Sequence, residues 1–194
     1  MIEPIQITGI ILAGGKSSRM GTDKGLIKLN GVTFIEHVIA SMRPLVNDFI
    51  IVSNSRDYDI FGYRRVDDLI EDSGPLAGLY TGLSYSETEY NLVLSCDVPL
   101  VNNEILTKLI SGIDESYDIV QLKSQDKTIP LIAIYKKHCL FKCLELLEHG
   151  EKRLRMLVQQ MNTKTIAVSS DSEYYVQNIN TLNELNDVIN AVEH

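Results

Sequence analysis

Short apolar runs alternate along the chain with stretches in which apolar residues recur every three or four positions. Ile7 to Leu12 reads as a buried strand that stops at Gly14 and Gly15. Phe34, Ile35, Val38, Ile39 and Met42 follow helical spacing and end before Pro44. Phe49 to Val52 predicts a second strand. Gly74-Pro75 opens a helix with Leu76, Leu79 and Leu83 on one face. Asn91 to Ser95 predicts a third strand that halts at Asp97. Asn102 or Asn103 caps a helix carrying Ile105, Leu106, Leu109 and Ile110. Tyr117 to Leu122, Leu131 to Tyr135 and Thr165 to Val168 predict further strands. Lys137 to Glu148 predicts a helix closed by Gly150, and Leu154 to Met161 another. Thr181-Leu182-Asn183-Glu184 is a capping box, and its helix turns Leu182, Leu185, Val188, Ile189 and Val192 inward. Strand and helix in alternation predict an α/β layered fold on a mostly parallel sheet. With no internal repeat, low-complexity tract or Pro/Gly/Ser linker, the simplest reading is one domain over residues 1–194.

Composition narrows the class. Of 194 residues, 44% are hydrophobic and 23% charged, a globular balance that can bury a core without disulfides or metals. Asp plus Glu outnumber Lys plus Arg, 26 to 18, so the formal net charge is -8. That argues against a nucleic-acid-coating role, which needs many basic phosphate contacts, but it does not exclude one small anionic ligand. Cys96, Cys139 and Cys143 are an odd set and read as reduced thiols. No run approaches a membrane span, and the start carries no signal-peptide pattern, so the expected location is the cytoplasm.

The segment after the first strand carries the most chemistry. Adjacent Gly14 and Gly15 allow positive φ and a close approach of backbone N–H groups to an anion. Arg19 can fork onto phosphate oxygens, and Lys16 and Lys24 are mobile cations. From Ala13 to Lys28, four cations (Lys16, Arg19, Lys24, Lys28) face one acid (Asp23), a local charge of +3. Gly15-Lys16-Ser17 imitates the end of a P-loop, but Ile10 stands where that motif needs glycine. Gly14, Gly15 and Gly21 do not have the spacing of the dinucleotide fingerprint. Spacing alone leaves open a tight turn with solvated charges.

Other candidates have an ordinary reading beside the functional one. Asp97, at a strand end before Pro99, is placed to hold a hard cation, or to bond its own turn. Gly74-Pro75 is a helix start whose N–H groups could also meet a base or phosphate. Asp67, Asp68, Glu71 and Asp72 form an acidic loop. Cys139 and Cys143, one helical turn apart among Leu140, Leu144 and Leu147, read as core and not as zinc ligands with His138 and His149. Glu151-Lys152-Arg153 and Arg155 form a mixed patch that either starts a helix or meets anionic groups.

Leu12-Ala13-Gly14-Gly15 followed by Ser17-x-Arg19-Met20-Gly21-x-Asp23-Lys24 resembles the signature of the molybdenum cofactor guanylyltransferases, the MobA type. Gly74-Pro75-Leu76-Ala77-Gly78, Cys96-Asp97-x-Pro99 and Asn178-x-Asn180-Thr181 extend the resemblance over nearly the whole chain. It implies a three-layer α/β fold with a Rossmann-like nucleotide-binding half, as in the nucleotide-diphospho-sugar transferases. It implies transfer of GMP from GTP to the terminal phosphate of a molybdopterin-type cofactor, with release of diphosphate and with Mg²⁺ bound.

By the same resemblance, Leu12, Ala13, Gly14 and Gly15 contact GTP through the backbone turn. Lys24 binds its phosphates, with Arg19 as a second cation. Asp68, or its neighbour Asp67, is the nucleotide-contacting acid. Gly74, Pro75, Leu76 and Gly78 approach the guanine. Asp97 holds Mg²⁺ near GTP, and Asn178 and Asn180 face the pterin-bearing substrate. Arg19, Lys24 and Asp97 are the expected catalytic set. Proteins that deliver the cofactor or receive it for molybdoenzyme maturation are implied partners; nucleic acid and membrane are not. The chain departs from some family members at Ser53, where they have Asn (here Asn54, one later), and at Ile129, where they have a polar residue before Pro130. The competing readings are a cytidylyl or sugar-phosphate nucleotidyltransferase, and a nucleotide-binding regulatory protein without turnover.

Overall fold

The computed structural model describes residues 5–14, 23–181, 184 and 187. In chain order the elements are β1 (Ile7–Leu12), a 3-10 turn at Lys24–Leu26, β2 (Lys28–Leu29), β3 (Val32–Thr33), α1 (Phe34–Met42), β4 (Asp48–Val52) and a 3-10 helix at Arg56–Phe61. There follow β5 (Arg64–Val66), α2 (Gly74–Tyr85), β6 (Tyr90–Ser95), α3 (Asn103–Ile110), β7 (Ile119–Ser124) and β8 (Lys127–Lys136). The series ends with α4 (Cys139–Glu148), α5 (Leu154–Gln160), β9 (Thr163–Ala167) and a 3-10 helix at Ser170–Val176.

Seven strands form one sheet in the order β5-β4-β1-β6-β8-β7-β9. β5, β4, β1 and β6 run parallel, β8 is antiparallel to both its neighbours, and β7 pairs parallel with β9. All six residues of β1 are buried, as a central strand covered on both faces requires. Alternate side chains serve opposite faces. Ile11, Ile51, Leu92 and Leu94 pack with α1 and α3 through Ile35, Val38, Ile105 and Leu109. Ile10, Leu12, Ile50 and Val93 pack with α2, α4 and α5 through Leu76, Leu79, Cys143 and Leu157. The result is three layers, helix, sheet and helix, as the alternation of elements predicts.

Local chemistry sets the element ends. Thr33 and Glu36 form a reciprocal capping box on α1, with Thr33 N–H donating to Glu36 Oε2 at 2.9 Å. Asn102 is the cap of α3, its Oδ1 accepting from Ile105 N–H at 3.0 Å. Gly150, at φ +78°, follows α4. β2 and β3 form a small hairpin on Asn30-Gly31, both at positive φ. That hairpin and the short charged edge strand β5 are additions to the elements expected from the hydrophobic pattern. Thr181 and Glu184 make the expected capping box, Glu184 N–H donating to Thr181 Oγ1 at 3.2 Å; most of the helix predicted beyond it lies outside the described residues. Among the described residues no helix is long and apolar enough to cross a membrane.

α2 approaches β1 closely because Gly82 has no side chain. A Cβ there would stand 2.5 Å from Ile10 Cγ2, on a branched side chain with no exposure to move into. Gly82→Ala gains ~1 kcal/mol of helix propensity. The overpacking costs about 1–3 kcal/mol and is expected to win. Urea unfolding should show a lower midpoint with an unchanged slope; a raised midpoint contradicts this packing.

Candidate active site

The chain leaves β1 toward β4 on one side, then returns through α2 to β6 on the other. The point where the connections diverge therefore lies between β1 and β6, and sheets of this type take ligands beyond the carboxyl ends of the strands at such a point. A cavity of about 730 Å³ opens there. Leu12, Ala13 and Gly14 leave β1 into it, Ser53, Asn54 and Ser55 leave β4, and Ser95 and Asp97 leave β6. Gly74, Pro75 and Gly78, from the first turns of α2, form another wall.

Asp97 is held by several groups in the cleft. Its Oδ1 accepts from the Ser95 hydroxyl at 2.5 Å, and its Oδ2 from the Asn178 amide at 3.4 Å. Lys24 Nζ stands 3.5 Å from the same Oδ2 and donates to Asn180 Oδ1 at 2.5 Å. The Asp97 carbonyl accepts from Ile179 N–H at 2.8 Å. Asn180 N–H and Thr181 N–H both donate to Glu184 Oε2, at 2.5 and 3.1 Å, so the capping box fixes the irregular segment that presents the two asparagines. Lys24, Asp97, Asn178 and Asn180, far apart in sequence, thus meet at one point.

Asp68 lies on the opposite wall. A Cβ at Gly14 would be 3.7 Å from its Oδ2, and one at Gly78 would be 3.9 Å from its Oδ1, so the carboxylate faces both glycines. Its N–H donates to Asn54 Oδ1 at 2.8 Å, and Leu69 N–H donates to the buried Thr81 hydroxyl at 3.0 Å. Among the described residues, Oδ1 of Asp68 is buried with no hydrogen-bond partner. Burial, aided by the charge of Asp67, pushes the Asp68 carboxyl above its usual range. Asp67 turns the other way and pairs with Arg65 at 2.5 Å. Of the two adjacent acids, Asp68 is the one that lines the cavity.

Other predicted residues fall differently. Gly15 and Arg19 lie outside the described residues, as does Lys16. Ala13 N–H already donates to Val52 O at 2.9 Å, and Leu12 O accepts from Cys96 N–H at 3.1 Å, so the sheet uses both. Leu76 turns its side chain into the core, and its N–H donates to Lys152 O at 3.3 Å. In the Glu151–Arg155 patch Arg153 forks onto Glu151, and Lys152 Nζ donates to Asp72 O at 2.8 Å. Cys139 and Cys143 are buried free thiols within the α2–α4 core, with burial pushing the former up to about 12. Among the described residues no three His, Cys, Asp or Glu side chains are placed to share a metal ion. Ser95 was not singled out by sequence; it is the last residue of β6, the signal that could have found it, while Asn54, noted there as one position later than the family's Asn, does line the cavity.

The sheet order and the cleft at its divergence point define a doubly wound α/β domain with its cleft at the carboxyl ends of the strands. A family model described as the MobA-like NTP transferase domain matches residues 9–165. The probable molybdenum cofactor guanylyltransferase of Flavobacterium johnsoniae is 40% identical over 182 residues, covering 94% of this chain and 96% of that one. The molybdenum cofactor guanylyltransferase of Vibrio campbellii is 34% identical over 188 residues, covering 95% and 96%. The solved molybdopterin-guanine dinucleotide biosynthesis protein A of Archaeoglobus fulgidus shares the fold at TM-score 0.80 and 21% identity, over 96% and 98%. The chain belongs to the MobA-like NTP transferase family.

The raised Asp68 carboxyl gives a stability test. The folded chain holds this proton more tightly than the unfolded chain does. Its contribution is full below the unfolded carboxylate range and is lost as pH rises through the raised folded value. Asp68→Asn removes that loss. The variant is expected to have a higher urea midpoint than the parent at pH 7, with the difference shrinking as pH falls from the raised folded value toward about 4. A difference that does not change with pH contradicts the burial of this charge.

Proposed function

We propose that this chain transfers GMP from GTP to the terminal phosphate of a molybdopterin-type cofactor. The observation that carries the reading is the convergence of Lys24, Asp97, Asn178 and Asn180 where β1 and β6 diverge, in a chain of this family. The acceptor phosphate oxygen attacks the α-phosphorus in line. The new P–O bond forms as the bond from the α-phosphorus to the bridging oxygen breaks, and diphosphate leaves. Lys24 has three N–H donors. Two are directed at Asn180 and Asp97, which leaves one for a phosphate oxygen and holds the ammonium in place before the nucleotide arrives.

The donor set fits Mg²⁺. Asp97 is a hard oxygen ligand, and Mg²⁺ is commonly held by one or two carboxylates together with substrate phosphates and water. Asp23, Asp68, Asp72 and Asp97 all border the cavity, so a triphosphate entering it needs added positive charge. Asp97 would hold Mg²⁺, which when bound would supply positive charge against that which builds on the leaving diphosphate.

Guanine is assigned to the wall made by Gly14, Asp68, Gly74, Pro75 and Gly78. The unpartnered Oδ1 of Asp68 is an acceptor awaiting a donor, as the N–H groups of a base or the hydroxyls of a ribose supply. The pterin-bearing substrate is assigned to a second cavity, of about 430 Å³, between the β7–β8 turn and residues 173–178. Leu131 borders both cavities, and Asn178, which borders the second, reaches Asp97 in the first. Ile129 and Pro130 sit on the acceptor wall, which makes that wall less polar than in relatives with a polar residue before the proline.

Incubation of the protein with GTP, Mg²⁺ and molybdenum-loaded molybdopterin is expected to yield the guanine dinucleotide and diphosphate. Lys24→Ala and Asp97→Asn should each lower turnover by about 10²–10³-fold, the usual cost of removing one charge-stabilising group. Product formed from CTP alone overturns the guanylyl assignment. Asp97→Asn with unchanged turnover overturns the mechanism.

A further inference from the structure

Tyr58 has no exposed surface, yet it carries a hydroxyl. A buried hydroxyl costs stability unless it is hydrogen-bonded, so a phenylalanine would serve better if only packing mattered. The hydroxyl donates to Asp23 Oδ1. That same oxygen accepts from Gly25 N–H at 3.2 Å and so caps the 3-10 turn Lys24–Leu26. Lys24 is the first residue of this turn, and its ammonium is the one directed at Asn180 and Asp97.

The ring constrains the turn as well. A Cβ at Gly25 would stand 3.0 Å from Tyr58 Cε1 and 3.1 Å from Cζ, and nearer still to the hydroxyl. Residue 25 has no room for a side chain because Tyr58 is already against its backbone. Tyr58 belongs to the 3-10 helix Arg56–Phe61, capped by the Ser55 hydroxyl at 3.2 Å, immediately after Ser53, Asn54 and Ser55 in the wall of the cavity. One side chain therefore links the β4 wall of the cleft to the turn that presents Lys24. Burial, with the nearby Cys96 and Asp23, pushes the phenol far above its usual range, so it stays a donor at every working pH.

We propose that Tyr58 is a positioning residue for nucleotidyl transfer, acting by fixing Asp23 and, through it, the backbone from which Lys24 reaches the cleft. The proposal rests on the reading of Lys24 as the phosphate-binding cation. Tyr58 makes no contact with Lys24's ammonium and is not a catalytic group. Its effect must pass through Lys24, and this separates a positioning role from a purely structural one.

The test is a double-mutant cycle of Tyr58→Phe with Lys24→Ala, read as GTP affinity by calorimetry and as kcat/KM for GTP in the full reaction. Tyr58→Phe keeps the ring and should lower kcat/KM by between about 10- and 100-fold, in the range that misplacement of a reacting group costs. In the Lys24→Ala background the same change should cost less than about twofold, because the cation it positions is gone. An equal loss in both backgrounds, or an unaltered kcat/KM for Tyr58→Phe alone, overturns the proposal. If Tyr58→Phe does not fold, Gly25→Ala, which pushes the hydroxyl off from the other side, is read in the same cycle. Parent protein that binds no GTP overturns the reading on which the proposal rests. Parent protein that binds GTP but transfers nothing to the pterin leaves the calorimetric arm of the cycle to decide the proposal.

Discussion

Asp97 is the point to which three separate lengths of chain are tied. It follows β6, so its backbone position is set by the buried centre of the sheet. Its carbonyl holds Ile179, its Oδ2 takes the amide of Asn178, and Lys24 approaches from the turn beyond β1. Only Ser95, which satisfies Oδ1, is local. A buried carboxylate is costly unless it is paired and hydrogen-bonded, and here the partners that offset that cost include Lys24 and Asn178, the groups to which the proposed reaction gives roles. Charge satisfaction in the folded protein and assembly of the site are one constraint.

The same constraint reconciles the acidity of the chain with the anionic nucleotide proposed for it. Four aspartates border the cavity, while the local excess of cations belongs to the 13–28 segment. Net charge describes the whole surface and says little about one cleft. In the proposed reaction a triphosphate is accepted where positive charge is brought to a fixed place: Lys24 is held between Asn180 and Asp97, and Asp97 would hold the metal.

The parts of the fold with a strong hydrophobic period were legible in the sequence. β1, β4, β6 and helices α1 to α5 occur within a few residues of where the apolar spacing puts them, because buried strands and amphipathic helices leave long runs to read. β5 was not legible: Arg64-Arg65-Val66 is a short edge strand, and charged edges carry no apolar alternation. The β2–β3 hairpin has two residues per strand, too few for a period, although Asn30-Gly31 is the turn that such a hairpin favours. Of the site, the choice between Asp67 and Asp68 depends on which one turns inward after β5, and so on the strand that the sequence concealed. Leu76 lay in the right motif, but its periodicity belongs to the core, where its side chain goes. Tyr58 gave no sign at all, since Arg56-Asp57-Tyr58-Asp59 reads as a polar loop and its partner Asp23 is 35 residues away.

The central claim is that the meeting point of Lys24 and Asp97 is the triphosphate site. A crystal structure with a non-hydrolysable GTP analogue and Mg²⁺ tests it most directly. The account predicts phosphate oxygens within hydrogen-bond distance of Lys24 Nζ, the metal on a carboxylate oxygen of Asp97, and the base or ribose against Asp68. A nucleotide seated away from the β1–β6 divergence, with Lys24 still bound only to Asn180 and Asp97, would contradict it.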